Sequence, residues 1–489
     1  MNLTNLKAIT IIVAALSALI AVNWVYFKIL RIAKDKGLVD NPDARKLQKE
    51  PVPVMGGIAV FFGVAFGIMA GYTVGGMLGV DYEIILLPIL AALVVMLYVG
   101  ALDDIRGLSP LSRLLIETLT MIGLIYAGGG CIDTFHGLWG IESFSWCFAV
   151  PLTIFVGVGI INAVNMIDGV NGLSSTLCVL SSGLYGMVFL QSGDVANATL
   201  AFSMTAALLP FMAHNIFGSR SRMFIGDAGT MVMGLLLTWF TICLLKSDSP
   251  IAFYDNAKNV NLIAFALAVL SVPVFDTLRV MTVRMLKKQS PFHPDKTHLH
   301  HIFINVGVSH FITTISEALI MIVVVAVWII SVMLGVSIDW QLYIVLLAAA
   351  IFVWGTYIIL RYHANHHTKF LHWIVNFSVK THLGRKEWWK YITARLDAPE
   401  DRLCEKDNKA EKRSIVVASG DPYDLMEYDR KKVLDFMKGR AEVMVYDIVE
   451  NSGANSIFVN AILENEILLG TIRVIKRDAN GAPTIVAIP

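Results

Sequence analysis

The sequence predicts an all-α polytopic membrane protein with about eleven transmembrane helices. Its N-terminus is expected outside and its C-terminus in the cytoplasm, where a small α/β or β domain follows. Three observations lead there. Hydrophobic residues make up 56% of the 489 and charged residues only 16%, too little polar surface for a soluble globule of this length. Eleven apolar stretches are long enough to cross a bilayer. The loops between them divide cleanly by charge.

In chain order the expected spans are 6–30, 54–78, 84–102, 112–128, 146–164, 173–192, 197–214, 229–246, 259–283, 312–335 and 340–361. The first is too long for a secretory signal and lacks a small-residue cleavage site, so it is expected to remain as a span. One set of loops (31–53, 103–111, 165–172, 215–228, 284–311 and everything after 361) carries most of the loop cations, from Arg31 and Lys34 to Lys288 and Lys296. The opposite set carries Lys7 and Lys258, with Lys246 at its edge. The positive-inside rule makes the first set cytoplasmic. Five cysteines show no CxxC spacing; Cys131 and Cys147 flank one outer loop and can pair in an oxidising space or stay as free thiols at helix ends. A net charge of +1 argues against nucleic acid as a partner.

Residues 1–362 are thus expected to form a transmembrane domain and 363–489 a cytoplasmic extension. After Arg361, "RYHANHHTKFLHWIVNFSVKTHLGRKEWWKYITARL" interleaves basic and aromatic residues, which suits one or two helices on an anionic membrane surface. Further on, "SIVVASG", "EVMVYDIV", "NSIFVNAIL" and "ILLGTIRVIKR" read as short strands.

Unusual polar residues gather on the cytoplasmic side. "GALDDIRG" puts Asp103 and Asp104 at the inner end of the third span, where adjacent carboxylates need a cation, a proton or water. "NAVNMIDGVNGL" repeats Asn162, Asn165, Asp168 and Asn171 every third position, along a helical stripe that runs into Gly-containing turns. "SRSRMFIGDAGTMVMG" places Asp227 between glycines before the eighth span, as a ligand site or a helix cap. Its Arg220 and Arg222 can meet phosphates or simply obey the positive-inside rule. Asp276, with Arg279 three residues on, is either a site or half of an ion pair. "SPFHPDKTHLHHIF" supplies Asp295, Lys296, His298, His300 and His301; it lacks the spacing of a zinc protease and better fits an anionic substrate. Carboxylates, amides and water suit Mg²⁺ or Mn²⁺, and a divalent ion beside basic groups suits phosphoryl transfer.

These motifs resemble the bacterial polyprenyl-phosphate N-acetylhexosamine-1-phosphate transferases, from about Leu38 to Phe303: "NPDARKLQKEPVPVMGGIA", "GALDDIRG", "NAVNMIDGVNGLSS", "FIGDAGTM" and "PFHPDKTHLHH". The closer branch is the WecA/TagO type, and the muramyl-pentapeptide translocases are relatives. The resemblance implies attack of undecaprenyl phosphate on UDP-GlcNAc, giving undecaprenyl-diphospho-GlcNAc and UMP with Mg²⁺ (or Mn²⁺), in the bacterial inner membrane. It assigns Asp103, Asp104, Asp168, Asp295 and His298 to catalysis. Asp227 and Asn162 are assigned to the metal. Asn162, Asn165, Asn171, Phe224, Arg220, Arg222, Lys296, His300 and His301 are assigned to substrate. Gly107 stands where the muramyl branch has a Lys, and Asn171 where many relatives have a second Asp. Another UDP-N-acetylhexosamine or the muramyl-pentapeptide is the alternative donor, a secondary transporter the alternative class, and a homodimer is compatible with the sequence.

Overall fold

The computed structural model describes residues 3–40, 51–80, 86–249, 259–290, 297–366, 368–380, 386–407, 422–438, 440, 442–452, 454, 456–469, 471–477 and 483–487. Helix α1 (Leu3–Asp35) leads to a two-residue strand β1 (Val39–Asp40), which pairs antiparallel with β2 (Val52–Pro53). Then follow α2 (Gly56–Met77), α3 (Leu86–Arg106), α4 (Pro110–Gly128), α5 (Trp146–Met166), α6 (Leu173–Ser192), α7 (Val195–Phe217) and α8 (Gly226–Leu245). All eight are long and apolar enough to span. α9 (Leu262–Val269) and α10 (Ser271–Leu286) form an apolar pair bent by 78°, α10 restarting with Pro273 in its first turn. After the short α11 (Leu299–Asn305) come α12 (His310–Met333) and a last span built of α13 (Ile338–Ala349), a π turn (Ala350–Gly355) and α14 (Thr356–His366). Ten such helices plus the bent pair match the eleven expected spans in position.

The bundle is centred on α8, whose apolar window is wholly buried. Only small residues let its neighbours come that close. A methyl on Gly57 of α2 would lie 2.2 Å from the Gly229 backbone nitrogen, and one on Gly100 of α3 would lie 2.4 Å from Ala228 Cα. In lipid, where apolar surface gains little by meeting apolar surface, such close backbone contact supplies the packing. It also places the start of α2, the end of α3 and the start of α8 side by side.

Beyond the spans lie α15 (Lys369–Lys380) and α16 (Glu387–Asp407), in the stretch expected to lie on the membrane. The last part holds α17 (Pro422–Met437), β3 (Val443–Met444), α18 (Val445–Asn451), α19 (Ser456–Leu468), β4 (Arg473–Arg477) and β5 (Pro483–Ala487), in an antiparallel sheet of order β3-β5-β4. Its fold is mixed α/β, and two of the expected strands are corrected. "YDIV" lies in α18 and "SIFVNAIL" in α19, where Val459, Ile462 and Leu463 are buried at helical spacing. "SIVVASG" lies outside the described residues. Cys131 and Cys147 are both unpaired.

Candidate active site

At the end of the bundle where α3, α5 and α8 converge, a cleft of about 670 Å³ opens. Asp103, Asp104, Asn165, Asp168, Asn171, Phe224, Asp227 and His301 line it, with Gly37–Asp40 and His310. The motifs singled out in the sequence, far apart in the chain, thus share one cavity.

The local folding follows from backbone needs. The first N–H groups of α8 have no partner within the helix. Asp104 takes them: its Oδ1 accepts from Asp227 N (2.8 Å) and its Oδ2 from Ala228 N (3.2 Å). Gly226 must be glycine, because its φ is +71° and a methyl there would fall 2.5 Å from Asp104 Oδ2. On the other side Phe224 is clamped to the α2 entry. Its N–H donates to Pro53 O (2.8 Å), and its carbonyl accepts from Gly56 N (2.9 Å).

Asp103 turns the other way. Its Oδ1 accepts from Leu108 N (2.6 Å), and its Oδ2 pairs with Arg113 at 3.2 Å. Arg113 is the hub of the polar wall. It donates to Asn162 Oδ1 (3.2 Å) and Asn165 Oδ1 (2.8 Å), and its Nε lies 3.3 Å from Glu117. Asn165 in turn donates to Asp227 Oδ1 (2.5 Å) and Thr230 Oγ1 (2.7 Å). The Asn ladder is therefore a relay that fixes Arg113 and Asp227 with respect to each other.

Asp168 follows α5 on an exposed turn and accepts from Ser174 Oγ at 2.5 Å. The surrounding protein raises its pKa from 3.8 to about 6, by desolvation first and then by the charge of Asp227; the Ser174 bond opposes the rise. Its exposed face meets the cleft, so water relieves part of that desolvation. His300 is buried, with its Nε2 2.5 Å from where a methyl on Gly169 would stand. Burial holds it below the usual imidazole value, so it is a neutral wedge under the Asp168 turn.

Several expected site residues sit elsewhere. Asn162 was expected on the metal, but its amide oxygen is on Arg113 and its nitrogen on Glu117 and Val158 O; it does not line the cleft. A residue already bonded at both ends of its amide serves as a support. Arg220 and Arg222 do not line the cleft either; they lie on the loop that meets α16. His298 is buried against Asp276, which also binds Arg279 (2.7 Å), so Asp276 belongs to an ion-pair cluster. Asp295 and Lys296 fall outside the described residues. Arg113, Glu117, Ser174 and His310 were not anticipated. The signal for the first two was present: "RLLIE" puts Arg and Glu at i,i+4 at the start of a membrane span, where ionised side chains are costly and paired.

Among the described residues no three His, Cys, Asp or Glu side chains converge as a closed metal cage. The cleft fits an open site instead. Asp103, Glu117 and Asp227 share the Arg113 guanidinium, Asp103 and Asp227 interact directly, and Asp104 and Asp168 line the same cleft. That excess of negative charge suits an ion such as Mg²⁺, which uses one or two carboxylates and keeps positions for water and phosphate.

Part of the chain matches a known family, and named relatives cover more of it. Residues 86–245 match the model of glycosyl transferase family 4. The undecaprenyl-phosphate alpha-N-acetylglucosaminyl 1-phosphate transferase of Yersinia pestis is 31% identical over 281 residues, covering 57% of this chain and 72% of the relative. That of Escherichia coli K12 is 32% identical over 284 residues, with the same coverage. A probable undecaprenyl-phosphate N-acetylglucosaminyl 1-phosphate transferase of Bacillus subtilis is 32% identical over 306 residues, 62% of this chain and 80% of the relative.

Proposed function

This chain belongs to glycosyl transferase family 4, and from that membership and the cleft we propose its reaction: transfer of N-acetylglucosamine 1-phosphate from UDP-GlcNAc to undecaprenyl phosphate. The products are undecaprenyl-diphospho-GlcNAc and UMP, which starts a lipid-linked surface glycan. An oxygen of the lipid phosphate forms a bond to the β-phosphorus of the donor; the bond from that phosphorus to the bridging oxygen breaks, and UMP leaves with the oxygen. The observation that carries the reading is the meeting of Asp103, Asp104, Asp168 and Asp227, from separate elements, in one cleft at the end of a membrane bundle. The charge asymmetry of the loops supports reading that cleft as cytoplasmic, where a soluble nucleotide sugar and a lipid phosphate meet.

The residues divide the work. Asp227, with Asp103 beside it, is the place for Mg²⁺ (or Mn²⁺), an ion that neutralises charge on the transferring phosphoryl group. Asp104 is committed to the α8 backbone and fixes the direction of Asp227. Arg113 holds Asp103 and, through Asn165, Asp227. Asp168 is the proton acceptor. It is exposed to the cleft with a pKa of about 6, close to the second ionisation of a phosphate monoester, and can take that proton at neutral pH. Phe224 and His301 line the same cleft as donor contacts.

The test is purified protein in detergent with UDP-GlcNAc, undecaprenyl phosphate and Mg²⁺, scoring UMP and lipid-linked sugar together. Both are expected, and both should stop when the divalent ion is chelated. Substrate movement across proteoliposomes without UMP would overturn the proposal in favour of transport. UMP only from a different UDP-sugar would overturn the donor.

A further inference from the structure

We infer that the cytoplasmic extension is a working part of the transferase, and that Asp397 on α16 is a positioning residue for the cleft. The inference rests on the function proposed above. The Asp397 carboxylate is buried and closes a ring of donors from the α7–α8 loop. Its oxygens accept from the backbone N–H of Ser219 (3.2 Å), Arg220 (3.1 Å) and Ser221 (2.9 Å), and from Ser221 Oγ (2.7 Å). Successive N–H groups aimed at one point form a nest for an anion, and here the chain's own tail supplies it.

The surrounding contacts make this a docked joint. Thr393 Oγ1 donates to Phe217 O (2.8 Å), and Trp389 packs on Phe217 and Phe311 with centroids 4.6 and 5.4 Å apart. Ser221 is buried and is also held from the bundle, its Oγ 3.0 Å from His214 Nδ1 and its carbonyl accepting from Tyr26 Oη (2.8 Å). Lys34 at the end of α1 reaches both the Arg220 carbonyl (2.9 Å) and Glu400 of α16 (2.6 Å). α16 therefore grips two strands of chain that run directly into the cleft. One is α1, which continues to the lining residues Gly37–Asp40. The other is the loop that ends in Phe224 and Asp227.

The distance along the chain is too short to absorb slack. Only Arg222 and Met223 separate the Asp397-bound Ser221 from Phe224, and a nearly extended chain advances about 3.3–3.6 Å per residue. Met223 O accepts from Asn215 Nδ2 (2.9 Å), and Asn215 Oδ1 accepts from Gly172 N (2.5 Å), so the same loop also braces the turn after Asp168. Among the described residues no part of the extension lines the cleft, so α16 acts through the loop and leaves the entrance open.

The experiment is Asp397→Asn in the full chain, with Asp397→Glu beside it. The amide keeps the shape but turns an N–H₂ toward N–H donors. KM for UDP-GlcNAc is expected to rise about tenfold while KM for undecaprenyl phosphate stays within twofold, and the Glu variant should recover part of the loss. A merely destabilised protein would lose kcat by losing active molecules and keep both KM values. An unchanged donor KM in the folded Asn variant would overturn the inference. Should that variant fail to accumulate, Glu400→Ala removes the acceptor of Lys34; a donor KM raised about threefold supports the joint, and an unchanged one overturns it. Hydrogen exchange decides independently of turnover. Amides 219–225 should exchange at least tenfold faster in Asp397→Asn, and equal protection would overturn the inference. A wild-type protein inactive on UDP-GlcNAc would refute the proposed reaction, and the exchange result would still judge the joint.

Discussion

Two polar clusters are embedded in this bundle, and they are built on opposite principles. Around Asp276 the charges close on themselves. Its carboxylate accepts from Arg279 Nε and Nη2, from His298 Nδ1 and from Leu299 N, and Arg279 lies over the Tyr357 ring at 3.6 Å. Around Asp227 they do not close: several carboxylates share Arg113, and the space beside them is open. A buried charge must be paired or become very costly. The closed cluster thus has nothing left for a ligand, and the open one is completed only when cations or protons arrive. Charge balance separates scaffold from site here better than residue type does, since both clusters contain the Asp and His residues that drew notice in the sequence.

The largest expected effect follows from taking one charge from each cluster. If Asp227 has the proposed role of metal ligand, Asp227→Asn should lower UMP release by 10³-fold or more. Its metal-free melting temperature should hold or rise, because like charges are relieved. A variant that keeps a tenth of the wild-type rate would remove Asp227 from the reaction. Next, Arg279→Met should cost about 3–5 kcal/mol of stability, the usual penalty for stranding a buried partner. Thermal unfolding in detergent measures it. A melting curve that did not move would show that the Asp276 cluster is wet and open like the other.

The sequence made this contrast only half legible. Hydropathy alone located the apolar helices, because bilayer thickness and backbone hydrogen bonding leave few solutions. The motif residues Asp103, Asp104, Asp168 and Asp227 were legible because their motifs together resemble those of a known family. What each of them binds was not. Asp104 proved to cap α8, and Asn162 to support Arg113. Such roles depend on which helix ends meet across long stretches of chain, and spacing says nothing of that. In the extension, "SIFVNAIL" is rich in β-branched residues yet forms α19, since packing of Val459, Ile462 and Leu463 overrides propensity. Asp397 gave no signal at all: an Asp in a polar helix is ordinary until the loop it holds is seen.

A smaller effect tests the open cluster by pH. Asp168 has a folded pKa of about 6 against an ordinary 3.8, so between those values the folded state holds more protons than the unfolded one. Its contribution to stability is then greatest on the acid side and declines as pH rises through about 6. If Asp168 is the proton acceptor as proposed, turnover should move the other way and rise through the same window, because the acceptor must be ionised. Asp168→Asn should flatten part of the stability slope and remove most of the activity. A pH–rate limb retained by residual Asp168→Asn activity would assign the proton to another group.

The smallest effect probes the edge of the closed cluster. Glu317 on α12 is fully buried near Asp276 and Arg279, and its Oε1 has no hydrogen-bond partner. A charge there gains little and costs desolvation. Glu317→Gln keeps the shape and takes away the ability to ionise, so the melting temperature should stay within about 2 °C of wild type or rise. UMP release should be unchanged within twofold, because no atom of Glu317 reaches the cleft. A large loss of activity with the fold intact would mean that the Asp276 cluster exchanges protons with the site, and the division between the two clusters would fail.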